Sequence, residues 1–308
     1  MIFVAYSLLI VAMLSCFWPQ PSRRLPLALG AAALLTGWAA NLITYSAIPV
    51  LAALAALALG YERTTKRLQH QPQRLGLRWF ARGQLLLVAS ILLLLAMHKL
   101  PGFQNVLLLD QVQVSQDAIP FTLYANVDKG LAGFVLLVLL WPLSQPSPQP
   151  LQAAAPQDRG SDLTLRWLRG WWPLFPLTFL CSEMIAVAFG FITWDPKLPA
   201  YTLTFLAVNL FLTCVAEELF FRGLLQTALQ RWLARRAWPL WLAAVVIGLL
   251  FGAAHLGGGV PYAITVTVAG IGYGLMYLRS GRIEVAILGH FALNALHFLL
   301  FSYPMLAN

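Results

Sequence analysis

The sequence predicts an all-α polytopic membrane protein with about ten transmembrane helices, and three observations carry that reading. Of its 308 residues 60% are hydrophobic and only 10% charged, with a mean hydropathy of +0.74; a soluble domain carries about 25% charged residues. Apolar runs bounded by charge or by Pro and Gly recur along the whole chain. Basic residues return in every second loop between those runs.

In chain order the runs cover residues 2–18, 27–45, 48–61, 83–98, 130–143, 171–192, 200–223, 239–256, 261–279 and 283–301. The first, in MIFVAYSLLIVAMLSCFW, has no basic residue ahead of it and no small-x-small cleavage site, so it reads as a retained helix rather than a leader. Leu14-Ser15-Cys16 has the outline of a lipoprotein box, against which Met13 and the uncharged start both argue. The second and third runs part only around Ala47-Ile48-Pro49. They count as two because a single crossing would place Arg23 and Arg24 on the wrong side. Residues 101–129, with Asp110, Asp117, Asp128 and Lys129 among scattered apolar positions, read as a short ordered loop. Residues 144–162 (SQPSPQPLQAAAPQDRGSD) are Pro/Gln/Ala-rich without periodicity and read as a linker. The chain therefore divides into an N-terminal accessory membrane domain (1–143), the linker, and a second membrane domain (163–303) that holds the chemistry.

The net charge of +9 resides in loops: Arg23 and Arg24; Arg63, Lys66, Arg67, Arg74, Arg78 and Arg82; Arg159, Arg166 and Arg169; Arg231, Arg235 and Arg236; Arg279 and Arg282. This alternation puts those loops in the cytoplasm and both termini outside. It also accounts for the basic excess without nucleic acid, which is not expected as a partner. Cys16, Cys181 and Cys214 are odd in number and lie in apolar runs, as small buried hydrophobes do.

Polar residues able to do chemistry concentrate after the linker. In NLFLTCVAEELFFRG, Glu218 and Arg222 stand four apart on one helical face and can pair. Glu217 is rotated about 100° from Glu218, away from that cation. A carboxylate so placed has a raised pKa, which suits a general base near neutrality. A purely structural ion network is the competing reading of the three. His255 closes an otherwise apolar run, with Phe251 one turn earlier. His290 and Asn294 share a face in the last run, and His297 follows as hydrogen-bond glue between helices. Gly270, Gly272 and Gly274 read as packing notches. Glu217 with His255 can polarise a water, while His290 and Asn294 can donate to an oxyanion. No Ser or Cys has a base beside it, and HExxH is absent. No cofactor is required; a divalent metal on Glu217, His255 and His290 stays open. Counted along each run at 1.5 Å per residue, however, these residues start at different depths, and they converge only if the helices tilt or stagger.

Three spaced motifs in order, Glu217-Glu218-x-x-x-Arg222, Phe251-x-x-x-His255 and His290-x-x-x-Asn294, resemble the signature of the CAAX protease and bacteriocin-processing family. That family includes the eukaryotic CaaX prenyl endoprotease and many bacterial intramembrane proteases. The resemblance spans roughly residues 165–301. It implies peptide-bond hydrolysis within the lipid bilayer on a membrane-associated protein or peptide substrate, in a multi-pass protein of the bacterial inner membrane. Carried over residue by residue, it implies that Glu217 and His255 activate water, His290 and Asn294 stabilise the oxyanion, and Glu218 and Arg222 support the site. Members are described both as glutamyl proteases and as metalloproteases, and the sequence fits either. Two other classes share these residues: a non-catalytic scaffold or immunity-type protein with the same fold, and a transporter using the buried Glu/His set as a proton relay. The second is disfavoured by the lack of a repeated half.

Overall fold

A computed structural model describes residues 1–18, 22–71, 73–140 and 170–307. The predicted linker and the loop arginines Arg159, Arg166 and Arg169 lie outside the described residues. The described residues form α1 (Ile2–Phe17), α2 (Arg24–Ala39), α3 (Ile48–His70), α4 (Leu75–Ala96), β1 (Val106–Val112), β2 (Phe121–Ala125), α5 (Val127–Leu139), α6 (Leu174–Ala188), α7 (Thr202–Ala234), α8 (Trp241–Ala254), α9 (Val260–Ser280) and α10 (Ile283–Leu300).

The chain is a helical integral membrane protein, but the ten predicted spans are not all of spanning length. Crossing a ~30 Å hydrocarbon core takes about 20 helical residues. Among the described residues α3 (with the 3₁₀ turn Tyr45–Ala47 ahead of it), α4, α7, α9 and α10 are long and apolar enough; α1, α2, α6 and α8 are apolar but shorter. The shortfall has local causes. The run at 239–256 loses its first residues to Pro239 and its last to a turn at His255 that opens the glycines 257–259. Conversely α3 outruns its apolar stretch to reach His70, its polar end supported by a Glu62–Lys66 pair at 2.9 Å.

Residues 101–129 are ordered, as predicted, though not as a loop. Val106–Val112 and Phe121–Ala125 pair as a two-stranded hairpin, both segments carrying the branched and aromatic residues that suit a pleated surface.

The described chain forms two compact units. The first holds Met1–Val106 and Ala125–Leu139; in it α1 packs on α2 and α5, and α4 on α3 and α5. Its core is apolar: Ala5, Leu9, Ala12, Met13 and Cys16 line the buried face of α1. Its one buried charge among the described residues is Asp128, in the first turn of α5, which accepts from His98 Nδ1 (2.8 Å) and from the Lys129 amide (2.8 Å).

The second unit holds Leu107–Tyr124 and Leu140–Asn308, so most of the hairpin groups with the C-terminal helices. α9 is its centre, packing on α6, α8 and α10. Gly248 and Gly252 of α8 let that helix approach so closely that a Cβ on either would collide with Ile271 or Thr267 of α9. The chain after α10 folds back as a strap. Tyr303 donates its amide to Ser115 Oγ (2.9 Å), and Ile119 donates to the Met305 carbonyl (2.9 Å). A helix leaves its last carbonyls without partners, and here the 190–200 loop supplies them. The Asp195 and Lys197 amides donate to the Leu300 and Leu299 carbonyls (2.8 Å each), and Lys197 Nζ donates to the Phe301 carbonyl.

α7 has an irregular ladder. Two wide π turns, Asn209–Cys214 and Leu219–Gln226, flank the short α segment Val215–Glu218 that carries both carboxylates. Such turns are rare and are found mostly at functional sites.

Candidate active site

Glu218, Arg222, Gln226 and Gln230 follow one another at intervals of four along α7, and all four are buried. Four residues overshoot a full α turn by about 40° but fall short of a full π turn, so the mixture of turns keeps this row in line. It faces the glycine notches of α9. Arg222 Nη2 donates to the Gly270 carbonyl (2.7 Å) and Gln226 Nε2 to the Gly274 carbonyl (2.8 Å). A Cβ at Gly274 would sit 2.8 Å from Gln226 Oε1, and one at Gly270 2.9 Å from the Phe251 ring. The glycines are notches, as predicted, filled at Gly274 by the Gln226 amide and at Gly270 by the Phe251 ring with the Arg222 guanidinium behind it.

The Glu218–Arg222 pair forms as the spacing predicts, with Nη1 donating to Oε1 at 3.0 Å and both side chains fully enclosed. The same Oε1 accepts from His290 Nδ1 of α10 at 2.9 Å. A carboxylate that already accepts from a guanidinium can only accept again, so the Nδ1 of His290 carries its proton and Nε2 is the nitrogen left for other partners. The His290 ring stacks on Tyr273 (4.7 Å between centroids, 16°).

Phe251 ties the three motifs together. Its ring lies 4.6 Å from the Arg222 guanidinium carbon, 4.7 Å from the His255 ring and 5.7 Å from the His290 ring. Arg222, His255 and His290, which lie at different depths along the sequence, thus meet at one side chain. His255 is the residue that ends α8, its Nδ1 at 2.8 Å from the Phe251 carbonyl, and it is half-buried. Its ring meets Tyr262 edge-on at 6.0 Å.

Glu217 is half-buried. Arg222 is bonded to Glu218, and Glu217 lies within its weaker electrostatic range. Tyr262 is within the same range of Glu217. Asn294, one turn beyond His290, turns to α7. Its Nδ2 lies 3.4 Å from Asn209 Oδ1 and 3.9 Å from Cys214 Sγ. Cys214 is buried, yet it is more than a small hydrophobe, since its thiol is 3.2 Å from Asn209 Oδ1.

His297 acts as the interhelical glue predicted for it. Its Nδ1 lies 3.0 Å from Oε2 of Glu183, a buried carboxylate on α6. Glu183, Asn209, Gln226, Gln230, Tyr262 and Tyr273 are the neighbours of the site that sequence reasoning missed. Among the described residues no three His, Cys, Asp or Glu side chains gather closely enough to hold a metal.

Residues 199–296, about a third of the chain, match the family described as Type II CAAX prenyl endopeptidase Rce1-like. This agrees with the resemblance drawn from the motifs, and all seven motif positions from Glu217 to Asn294 fall inside the matched segment. No curated protein and no solved structure matches the chain.

Proposed function

We propose that the second unit is an intramembrane endopeptidase in which Glu217 and His255 activate a water and His290 and Asn294 hold the oxyanion. The observation that carries this is the Phe251 hub, because one ring touches His255, His290 and the Arg222 that binds Glu218. Glu217 takes a proton from water as the hydroxide oxygen bonds to the scissile carbonyl carbon. Negative charge moves onto the carbonyl oxygen, where preorganised donors act with most effect in a water-poor site. Collapse breaks the C–N bond, and the proton held by Glu217 passes to the leaving amine. Glu218 and Arg222 are support: Glu218 binds His290 Nδ1, and Arg222 neutralises Glu218 and is itself fixed to Gly270.

The substrate is a membrane-associated protein or peptide, and the matched family makes a prenylated CAAX terminus the first probe. The basic loops face the cytoplasm of a bacterial inner membrane in this reading, as their alternation favours. The test uses full-length protein in lipid nanodiscs and a quenched fluorogenic peptide ending in a farnesylated CAAX box. Glu217→Ala and His255→Ala each reduce turnover below about 1% of wild type, within the range that loss of a general base produces, while both variants accumulate in the membrane normally. Comparing membrane peptidomes of cells carrying wild type and Glu217→Ala then identifies the natural substrate. Normal processing by either variant would falsify the assignment.

A further inference from the structure

The wide turn Asn209–Cys214 lies one short segment ahead of the two carboxylates. In an α-helix residues five apart point about 140° away from each other. In a π turn, closed by i→i+5 bonds, they stand one above the other. That is how the Cys214 thiol comes to within 3.2 Å of Asn209 Oδ1. Asn209 Oδ1 is also met from α10 by Asn294 Nδ2 at 3.4 Å. An amide side chain has one end that only accepts and one that only donates. An oxyanion can be stabilised only by the donating end.

We infer that Asn209 is a positioning residue that selects the working orientation of the Asn294 amide. Its carbonyl oxygen accepts one of the two N–H bonds of Asn294 Nδ2, which holds the NH₂ end in place, while the second N–H exchanges its weak contact with Cys214 Sγ (3.9 Å between Nδ2 and Sγ) for the substrate oxygen. Without that acceptor the amide can flip and present its own oxygen, which repels a developing negative charge. The Cys214 thiol, a weak donor, holds Asn209 Oδ1 from the other side and contributes less. This inference rests on the oxyanion role given to Asn294 above.

The experiment measures kcat and KM of full-length protein in nanodiscs on the farnesylated CAAX peptide, with thermal midpoints alongside. Asn209→Leu keeps the volume and removes the acceptor. It lowers kcat about 10–100-fold, at or below the loss expected for removing an oxyanion donor outright, while KM moves less than about 3-fold and the midpoint is unchanged. Asn209→Asp keeps an acceptor oxygen facing Asn294 and restores kcat to within about 5-fold of wild type. In an Asn294→Ala background Asn209→Leu causes no further loss beyond about 2-fold, because residues acting through one contact are not additive. Wild-type kcat in Asn209→Leu, a loss that multiplies undiminished in the double variant, or a midpoint that falls with kcat each overturn the inference. If Asn294→Ala itself turns over normally, the oxyanion assignment fails and this inference fails with it. If Asn294→Ala is slow and Asn209→Leu is not, Asn209 alone is wrongly assigned.

Discussion

The N-terminal unit keeps its one buried charge among the described residues, Asp128, at a helix N-terminus beside a histidine that is 42% exposed, whereas the C-terminal unit encloses Glu218 and Arg222 completely and bonds them to His290 and the Gly270 carbonyl. A charge within hydrocarbon costs roughly 2.5–3.5 kcal/mol on insertion scales. The first unit avoids that cost by keeping its polar pair at an edge. The second offsets it with a connected set of bonds from α7 to α9 and α10. The same contrast appears among the glycines. Gly83 on α4 faces open space, while Gly270 is filled by Phe251 and Arg222 and Gly274 by Gln226.

The sharpest way to break this comparison is to remove one partner from each unit. Glu218→Gln removes the carboxylate bonded to the fully enclosed Arg222, and breaking a buried pair in this way costs about 3–5 kcal/mol. His98→Ala removes a partner that water can replace and costs about 0–1 kcal/mol. Reversible unfolding in mixed micelles measures both, and equal losses would erase the distinction. A smaller effect separates the glycines. Gly274→Ala pushes a methyl into Gln226 and the Ala244 backbone and destabilises by about 1–3 kcal/mol. Gly83→Ala meets nothing within 4 Å and stabilises by about 0.5–1 kcal/mol through helix propensity. Opposite signs of the shift in unfolding midpoint are expected, and a shared sign would show that the notches are not filled as described.

The smallest expected effect is confined to the strap. The Ser115 hydroxyl first, and the Lys197 ammonium after it, hold the Asp195 carboxyl below the usual carboxylate range. A carboxylate with a lowered folded pKa stabilises at pH above its ordinary value, and that contribution disappears as pH falls through the lowered one. Hydrogen exchange in residues 191–202 and 299–306 should therefore be slower in wild type than in Asp195→Asn at pH 7, with the two converging below about pH 3–4. Persistence of the difference in acid would show that Asp195 holds the clamp independently of its charge.

Much of the site was legible because charge is scarce in this chain. Glu218 and Arg222 at a spacing of four, and His290 with Asn294 on one face, are pairs that helix geometry alone produces. Gln226 and Gln230 continue the same four-residue interval, and Glu183 is the only acidic residue in its apolar run; those signals were present and unused. Asn209 was harder to find. Its alignment with Cys214 depends on a wide turn, and the apolar run NLFLTC has no local feature that requires one. The membrane depths were misleading for a similar reason, since distance counted along separate helices carries no information on how they cross. Span counting overreached where Pro and Gly sit inside apolar stretches, because hydropathy registers the stretch while the backbone ends the helix early.

The two wide turns of α7 also limit what can be transplanted. Each holds a residue more than a regular turn would, so winding the same residues as a regular α-helix swings everything beyond either turn by about 100°. A segment lifted onto a straight designed helix would keep every side chain of this protein and lose their directions. Any minimal synthetic version must copy the irregular ladder along with the letters.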